Sequence, residues 1–260
     1  MPTLPSASFD MICADLPYGT TACSWDVVIP FEPLWAEYKR LIKPRGAIVL
    51  FGSQPFTSLL VCSNLAWFKY VWVWEKSRAT GHLDCKRKPL KKHEDICVFA
   101  PNGHTYNPVM KRGTLHSRGG ARTGPAQVYG KFADRQTTEN ADYYPTSIVP
   151  FSTVMIPEHP TQKPVALLEY LLRTYTNEGD AVLDNTMGSG TTLVACIKTG
   201  RSGTGIELRR DYFEIAEERC RKARLQPPLT DNQEMKLTRT GAARSEVDSP
   251  DGPQPVLLEV

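Results

Sequence analysis

This 260-residue sequence predicts an α/β fold, a mostly parallel sheet with helices on both faces. Three observations predict it. Short apolar runs bounded by turn residues recur, as strands buried on both faces require. Stretches of helical period lie between them, and strand–helix–strand order implies parallel pairing through a right-handed crossover. Two of the apolar runs end in an acid and a turn, Cys13-Ala14-Asp15-Leu16-Pro17-Tyr18 and Leu183-Asp184-Asn185-Thr186-Met187-Gly188. Open parallel sheets hold their ligands beyond such strand ends.

Taken in order, residues 9–15 and 46–52 read as the first two strands. Between them Leu34, Trp35, Tyr38, Leu41 and Ile42 share one helical face, which Pro44 and Gly46 are expected to stop. Residues 67–76 and 94–100 read as two further strands. From 101 to 157 the periodicity disappears in a stretch rich in Gly, Pro, Thr and Arg, too long for a connecting loop. It reads as an insertion. Regularity returns at Lys163, where Pro164 suits a first helical turn and Leu167, Leu168, Leu171, Leu172 and Tyr175 form an apolar stripe. A strand (181–184), a helix (191–199), a strand (204–208) and an amphipathic helix (209–224) follow. Residues 1–225 therefore form one domain, and 226–260 have little to bury and read as a disordered tail.

The 41% hydrophobic and 23% charged fractions are those of an ordinary globular protein, and a formal net charge of +3 excludes nothing. No apolar run approaches the ~18 residues of a membrane helix, so no membrane partner is expected. The N-terminus lacks the basic and apolar segments of a signal peptide. The seven cysteines are scattered without a C-x-x-C pair, which reads as reduced thiols in a cytoplasmic protein. His82, Cys85 and Cys97 have no zinc spacing, so no metal site is expected.

The chemistry concentrates at the two acid-ended runs. Gly188-Ser189-Gly190-Thr191-Thr192 follows a strand and opens a helix, whose N-terminal amides favour an anionic or carboxylate group. About 20 residues after Asp184, Glu207 ends the next strand, where an acid accepts hydrogen bonds from both ribose hydroxyls. The same glycines also suit a turn that merely lets helix and strand pack. Leu193 follows Thr192, so the third glycine of a dinucleotide fingerprint is missing, which argues against NAD. If strands 9–15 and 181–184 are neighbours, Asp15 and Asp184 flank one crevice. Alone, Asp15 also reads as a turn or cap acid, and Tyr18 as a packed surface aromatic.

Together these residues resemble the S-adenosylmethionine-dependent amino-group DNA methyltransferases, in the circularly permuted arrangement that places the acceptor half first. Asp15-Leu16-Pro17-Tyr18 is similar to the family's D-P-P-Y, with Leu16 in place of the first proline. Asp184 through Thr192 is similar to D-P-F-x-G-S-G-T-T, with Asn185 and Thr186 departing where the family lines the methionine portion with Pro and Phe. His159-Pro160-Thr161-Gln162-Lys163-Pro164 is similar to H-P-T-x-K-P. The resemblance spans about 15–207 and implies a Rossmann-like methyltransferase fold, with 101–157 as a target-recognition insertion.

It also implies methyl transfer from S-adenosylmethionine to the exocyclic N6 amine of an adenine flipped out of DNA. The leading Asp15 resembles the adenine-type loop; the alternatives are cytosine N4 and a catalytically weakened nucleic-acid-binding relative. A small-molecule or protein methyltransferase is a further rival, opposed by the D-L-P-Y loop and the basic insertion. Asp15 and the Leu16 carbonyl would accept the amine, in the loop shared with Pro17, while Tyr18 offers a ring face. Asp184, Gly188, Ser189, Gly190, Thr191 and Glu207 would hold the cofactor, with Thr161 and Lys163 at its amino-acid end. Phe51 lies with Gly52 and Ser53 on the same edge, where a plain strand-ending turn explains them equally.

DNA is the implied partner. Lys76, Arg78, Lys86, Arg87, Lys88, Lys91 and Lys92 cluster against Asp84 alone, and Lys111, Arg112, Arg118, Arg122, Lys131 and Arg135 sit among glycines. Such runs are usually solvated faces; beside a base-modifying site they read as phosphate contacts. The resemblance also admits a homodimer and a cognate restriction endonuclease. In the family, a strand with a Gly-Asp element precedes the D-P-P-Y strand. Here Met1 to Ser8 contain Pro2 and Pro5, each of which removes a ladder donor. An exposed sheet edge beside the Glu207 strand and a weakened cofactor site are therefore expected, with Met1 internal to a longer reading frame, the chain a truncated copy, or the protein a family member that manages without the strand.

Overall fold

The computed structural model describes residues 1–21, 23, 25–118, 138–155, 162–225 and 255–260. The chain separates into two units, Met1–Asn107 with Ser147–Val260, and Pro108–Thr146. The first unit contains β1 (Phe9–Ala14), α1 (Phe31–Leu41), β2 (Ile42–Gly52), α2 (Phe56–Ser63), β3 (Phe68–Thr80) and β4 (Lys91–Phe99). The second contains β5 (Lys111–Arg118) and β6 (Thr138–Tyr143), an antiparallel pair. The first resumes with β7 (Ile148–Phe151), α3 (Val165–Tyr175), β8 (Ala181–Asp184), α4 (Thr191–Thr199), β9 (Ser202–Glu207), α5 (Arg210–Leu225) and β10 (Val256–Glu259).

Its eight strands form one sheet in the order β10-β9-β8-β1-β2-β4-β3-β7. β4 and β10 run against the other six, so the sheet is mostly parallel. Alternation along β1 explains its unbroken apolar run. Met11 and Cys13 pack with the α3 stripe of Leu167, Leu168, Leu171 and Leu172 and with Ala195 and Cys196 of α4. Ile12 and Ala14 face the other way, onto Leu34, Trp35, Tyr38 and Leu41 of α1 and Phe56 and Leu60 of α2. Both faces are covered, so no position on the strand need be polar. Truncating one stripe residue, Leu171→Ala, would cost about 2–5 kcal/mol.

Several expectations are corrected. Helix α1 ends at Leu41, and Ile42 starts β2 at once. Pro44 and Gly46 sit inside β2 where its register to β1 slips between Phe9 and Met11; a bulge tolerates a missing N–H. Gly46 is needed there because a Cβ would lie 2.8 Å from the Asp10 carbonyl oxygen. The stretch 101–157 does not form one body. Asn107 belongs to the main unit, its amide side chain donating to the Thr176 carbonyl at 3.1 Å, and Ile148–Phe151 adds β7 beside β3.

The edge beside the Glu207 strand is not exposed. β10, from the stretch read as tail, pairs with β9, Val256 opposite Glu207 and Glu259 opposite Thr204. Leu258 and Val260 turn inward against the α4–α5 cluster. Residues 226–254 lie outside the described residues. Met1 to Ser8 form no strand, as expected, and the Arg40 guanidinium pins them through the Leu4 and Met1 carbonyls at 2.7 and 3.0 Å.

The path β1–α1–β2 runs to one side and β8–α4–β9 to the other, so chain order reverses between β1 and β8. These strands are neighbours, Met11 opposite Val182 and Ile12 opposite Leu183. Their carboxyl ends carry Asp15 and Asp184 side by side.

Candidate active site

At that reversal lies a cavity of about 530 Å³, within the range of small-molecule sites. Asp15, Pro17, Phe51, Lys163, Asp184, Gly188, Ser189, Thr191 and Glu207 line it, as the sequence predicts for the two ends of one site. Trp25, Val27, Ile29 and Tyr212, which sequence reasoning missed, add an apolar wall. Leu16, Tyr18 and Gly190 are not on the lining. Leu16 is 3% exposed and packs in the core on the α1 side. Gly190 has φ +75°, and a Cβ there would meet the Ala216 Cβ at 2.7 Å, so this glycine serves the approach of α4 to α5. Thr161 lies outside the described residues.

One end is built on β8 and β9. Asp184 is 4% exposed, accepts from the Thr192 hydroxyl at 2.6 Å and the Thr186 N–H at 3.1 Å, and burial pushes its carboxyl up to about 7. Glu207 accepts three backbone N–H groups, from Gly188, Leu208 and Arg209, each at 2.9 Å. Burial raises its pKa and those amides oppose the rise. The bond from Gly188 fastens the glycine loop to the end of β9. From behind, the Arg219 guanidinium donates to the Ser189 carbonyl at 2.5 Å and to the Ser189 hydroxyl at 2.8 Å. The two departures from the family pattern also have work here. Asn185 accepts from the Tyr38 hydroxyl at 2.6 Å, and the Thr186 hydroxyl donates to the Asp15 carbonyl at 3.1 Å. Thr186 thereby joins the two acid-ended loops.

The other end is built on β1. Asp15 Oδ1 accepts from the Tyr18 hydroxyl at 2.6 Å, and Oδ2 accepts from Lys163 Nζ. Burial raises the Asp15 pKa, and Lys163 opposes it. Tyr18 stacks on Phe56, with centroids 5.0 Å apart and planes at 29°. Its phenol is pushed well up by burial and by Asp15, so it donates and does not ionise. Past Tyr18, Asp26 accepts the N–H groups of Gly19, Thr20 and Thr21 at 2.9, 2.9 and 2.7 Å, fixing the turn. Lys163 lies over the Phe51 ring at 5.0 Å and also 3.3 Å from Glu94 Oε2. Against burial, Asp15 and Glu94 hold its ammonium above the ordinary lysine range.

Lys76, expected on a nucleic-acid surface, is instead 8% exposed and bonded to Glu94 Oε1, because β3 and β4 pair side by side. Lys91 likewise turns in to the Ser53 hydroxyl. Glu94 itself was missed. It precedes an apolar strand, but β4 is antiparallel, so the start of that strand reaches the edge where the others end. Lys86, Arg87 and Lys88 are exposed on the β3–β4 connection. Since β3 runs parallel to β1, that connection begins on the same sheet edge as Asp15. Arg112 is exposed on β5 of the second unit, Arg118 ends that strand, and Arg122 lies outside the described residues. Among the described residues, no group of His, Cys, Asp and Glu could hold a metal ion.

The N6/N4 methyltransferase family model, described as DNA methylase, matches residues 9–218. The chain is 47% identical over 242 residues to the type II methyltransferase M2.DpnII of Streptococcus pneumoniae, covering 82% of each. It is 30% identical over 235 residues to the DNA adenine methyltransferase YhdJ of Escherichia coli K12, covering 82% of this chain and 76% of that one. Among solved structures, the M1.HpyAVI–SAM complex aligns with a TM-score of 0.56 at 25% identity, over 82% of this chain and 89% of that one.

Proposed function

From the premise that this chain belongs to the DNA methylase family, we propose that it transfers a methyl group from S-adenosylmethionine to the exocyclic N6 amine of adenine in DNA. One observation carries the reading. Asp15, the glycine loop and Glu207 line a single cavity at the switch point of the sheet.

The cavity suits the cofactor. Glu207, fixed by three amides, accepts ribose hydroxyls, and the wall of Trp25, Val27 and Tyr212 suits an adenine ring. Ser189 and Thr191 offer donors to a carboxylate, whereas Lys163 on the same lining is taken up by Asp15 and Glu94. When bound, S-adenosylmethionine supplies a methyl on a sulfonium.

An exocyclic amine is a poor nucleophile because its lone pair is delocalised into the ring. Asp15 and the Leu16 carbonyl accept its two N–H bonds, favour a pyramidal nitrogen and stabilise the positive charge that develops there. The Tyr18 hydroxyl holds Asp15 in place, and its ring, backed by Phe56, gives a face to a base rotated out of the duplex. Thr186 ties the acceptor loop to the cofactor loop, and positioning of this kind supplies much of the rate. Lys86, Arg87 and Lys88 meet phosphates, while Arg112, Arg118 and Arg122 belong to the target-recognition segment.

The type II names of relatives support a cognate restriction endonuclease as a partner. Among the described residues no helix is long and apolar enough to cross a membrane, and a cytoplasmic place, with access to DNA, fits the reading. The test uses methyl-labelled cofactor with DNA, RNA and protein acceptors, followed by mass spectrometry of nucleosides. N6-methyladenine in DNA is expected. N4-methylcytosine alone overturns the adenine assignment, and transfer only to RNA or protein overturns the DNA reading.

A further inference from the structure

Both oxygens of the Asp15 carboxylate are occupied, Oδ1 by the Tyr18 hydroxyl and Oδ2 by the Lys163 ammonium. This raises a problem for an acid that has to accept an amine. A lysine on Oδ2 withdraws negative charge from the acceptor and places a cation beside a nitrogen that is becoming positive. Something has to take that lysine.

Glu94 is built to do so. Its Oε1 is held by Lys76 from β3, so the carboxylate cannot swing away. Its Oε2 is buried and makes no hydrogen bond, although an unfilled buried acceptor is costly. That open oxygen lies 3.3 Å from Lys163 Nζ. Lys163 therefore sits between two carboxylates, hydrogen-bonded to Asp15 and already ion-paired at 3.3 Å with a Glu94 oxygen that has no hydrogen bond of its own. The Phe51 ring beneath it, 5.0 Å away, presents a face along which an ammonium can move without losing its cation–π contact.

We propose that Glu94 is a positioning residue that draws the Lys163 ammonium off Asp15 when the acceptor amine arrives, freeing the Asp15 carboxylate to receive it. In the resting site Lys163 keeps Asp15 ionised and oriented; in the loaded site Glu94 keeps Lys163. No bond to carbon is made or broken in the exchange, and no proton changes owner. It rests on the reading that Asp15 accepts the amine.

The charges around the pair fix the sign of the test. Asp15 faces Lys163 from the segment before α3, Glu94 from β4, Tyr18 from its own loop, the Cys13 thiol on β1 and Asp184 on β8. Glu94 faces Lys163, Lys76 and Lys91. Glu94 repels a second negative charge on Asp15 and competes for its lysine. In Glu94→Gln, Lys163 belongs to Asp15 alone, so Asp15 loses its proton at lower pH. In Lys76→Gln, Glu94 loses one cation, grips Lys163 harder, and Asp15 holds its proton to higher pH.

The experiment measures single-turnover methyl transfer to duplex DNA across pH, with cofactor affinity by calorimetry, for wild type, Glu94→Gln, Lys76→Gln and Asp15→Ala. Glu94→Gln is expected to slow transfer by roughly 10- to 100-fold with cofactor affinity unchanged, and to move the acid limb of the rate to lower pH. Lys76→Gln is expected to move that limb the other way, and it decides the matter if Glu94→Gln does not fold. Limbs that stay in place, or move together, overturn the proposal, whatever happens to the melting temperature. If Asp15→Ala is inactive and the limbs do not move, the lysine exchange fails while Asp15 remains the acceptor. If Asp15→Ala turns over normally, the acceptor reading fails, and the exchange with it.

Discussion

Asp184 shows how a single side chain can hold part of a site and still cost the fold something. Nearly excluded from water, it gains two hydrogen bonds, yet burial moves its carboxyl from 3.8 to about 7. The folded protein then binds a proton that the unfolded chain has already released. Stability therefore declines as pH rises between about 4 and about 7, by at most ~1.4 kcal/mol per unit for one proton. Asp184→Asn lacks this slope. Thermal melts across that range are expected to show wild type losing its advantage over the variant as pH rises, with the gap constant above the window. Parallel curves would contradict the shift. The proposed function divides the work differently between Asp15 and Glu207. Asp15→Ala is expected to abolish turnover with cofactor affinity nearly intact. Glu207→Ala strips three N–H groups of their acceptor and is expected to weaken cofactor binding by about 1–3 kcal/mol. Calorimetry separates the two, and equal losses would refute the division.

At the scale of elements, the glycine loop holds two functions that its motif runs together. Gly188 and Ser189 line the cavity, whereas Gly190 lets α4 meet α5. Gly190→Ala combines a strained φ of +75° with a 2.7 Å approach to Ala216, and is expected to cost about 1–3 kcal/mol of stability. Ala216→Gly in the same chain should recover the steric part and leave the backbone part, which a melting series of the single and double variants would measure. The difference between these glycines marks what the sequence could tell. β1, β8, the Gly188–Thr192 turn and Glu207 were legible because each is announced by consecutive residues and a short spacing. The contact of Gly190 with α5 could not be read, because a motif names a residue and not the direction it faces. Glu94 escaped, and Lys76 was assigned to a nucleic-acid surface, because strand direction depends on which neighbour a strand joins. The eight residues of α2 have too few polar positions to show a helical face. Asp26 was invisible because its partners are backbone amides, which have no letter of their own.

For the molecule as a whole, the sheet edge beside β9 decides how well Glu207 is held. β9 has β8 on one side, and without β10 its other side would present unpaired N–H and C=O groups. β10 covers them from Val256 at Glu207 to Glu259 at Thr204, and Val260 extends the pairing to Gly203 with bonds of 2.8 and 2.9 Å. The alternation is that of an authentic strand, with Leu257 exposed at 42% and Leu258 and Val260 packed on the α4–α5 cluster. This could not be read from a tetrapeptide following a polar stretch, since its pairing depends on an edge made 50-odd residues earlier. It has a consequence at the site, because the backbone of Glu207 is the residue Val256 pairs with. Removing Pro255–Val260 takes away three half-buried side chains, Val256, Leu258 and Val260, roughly 3 kcal/mol, and for a domain of this size the melting temperature should fall by about 6–12 °C. Cofactor affinity should fall with it as the end of β9 loosens, and the bared edge should increase self-association in sedimentation. Leu258→Asp in the untruncated 260-residue chain distinguishes strand from tail, since it leaves the length intact and disturbs only the inward face. If neither variant changes melting, affinity or sedimentation, β10 does not hold the edge, and Glu207 owes its position to its three amides alone.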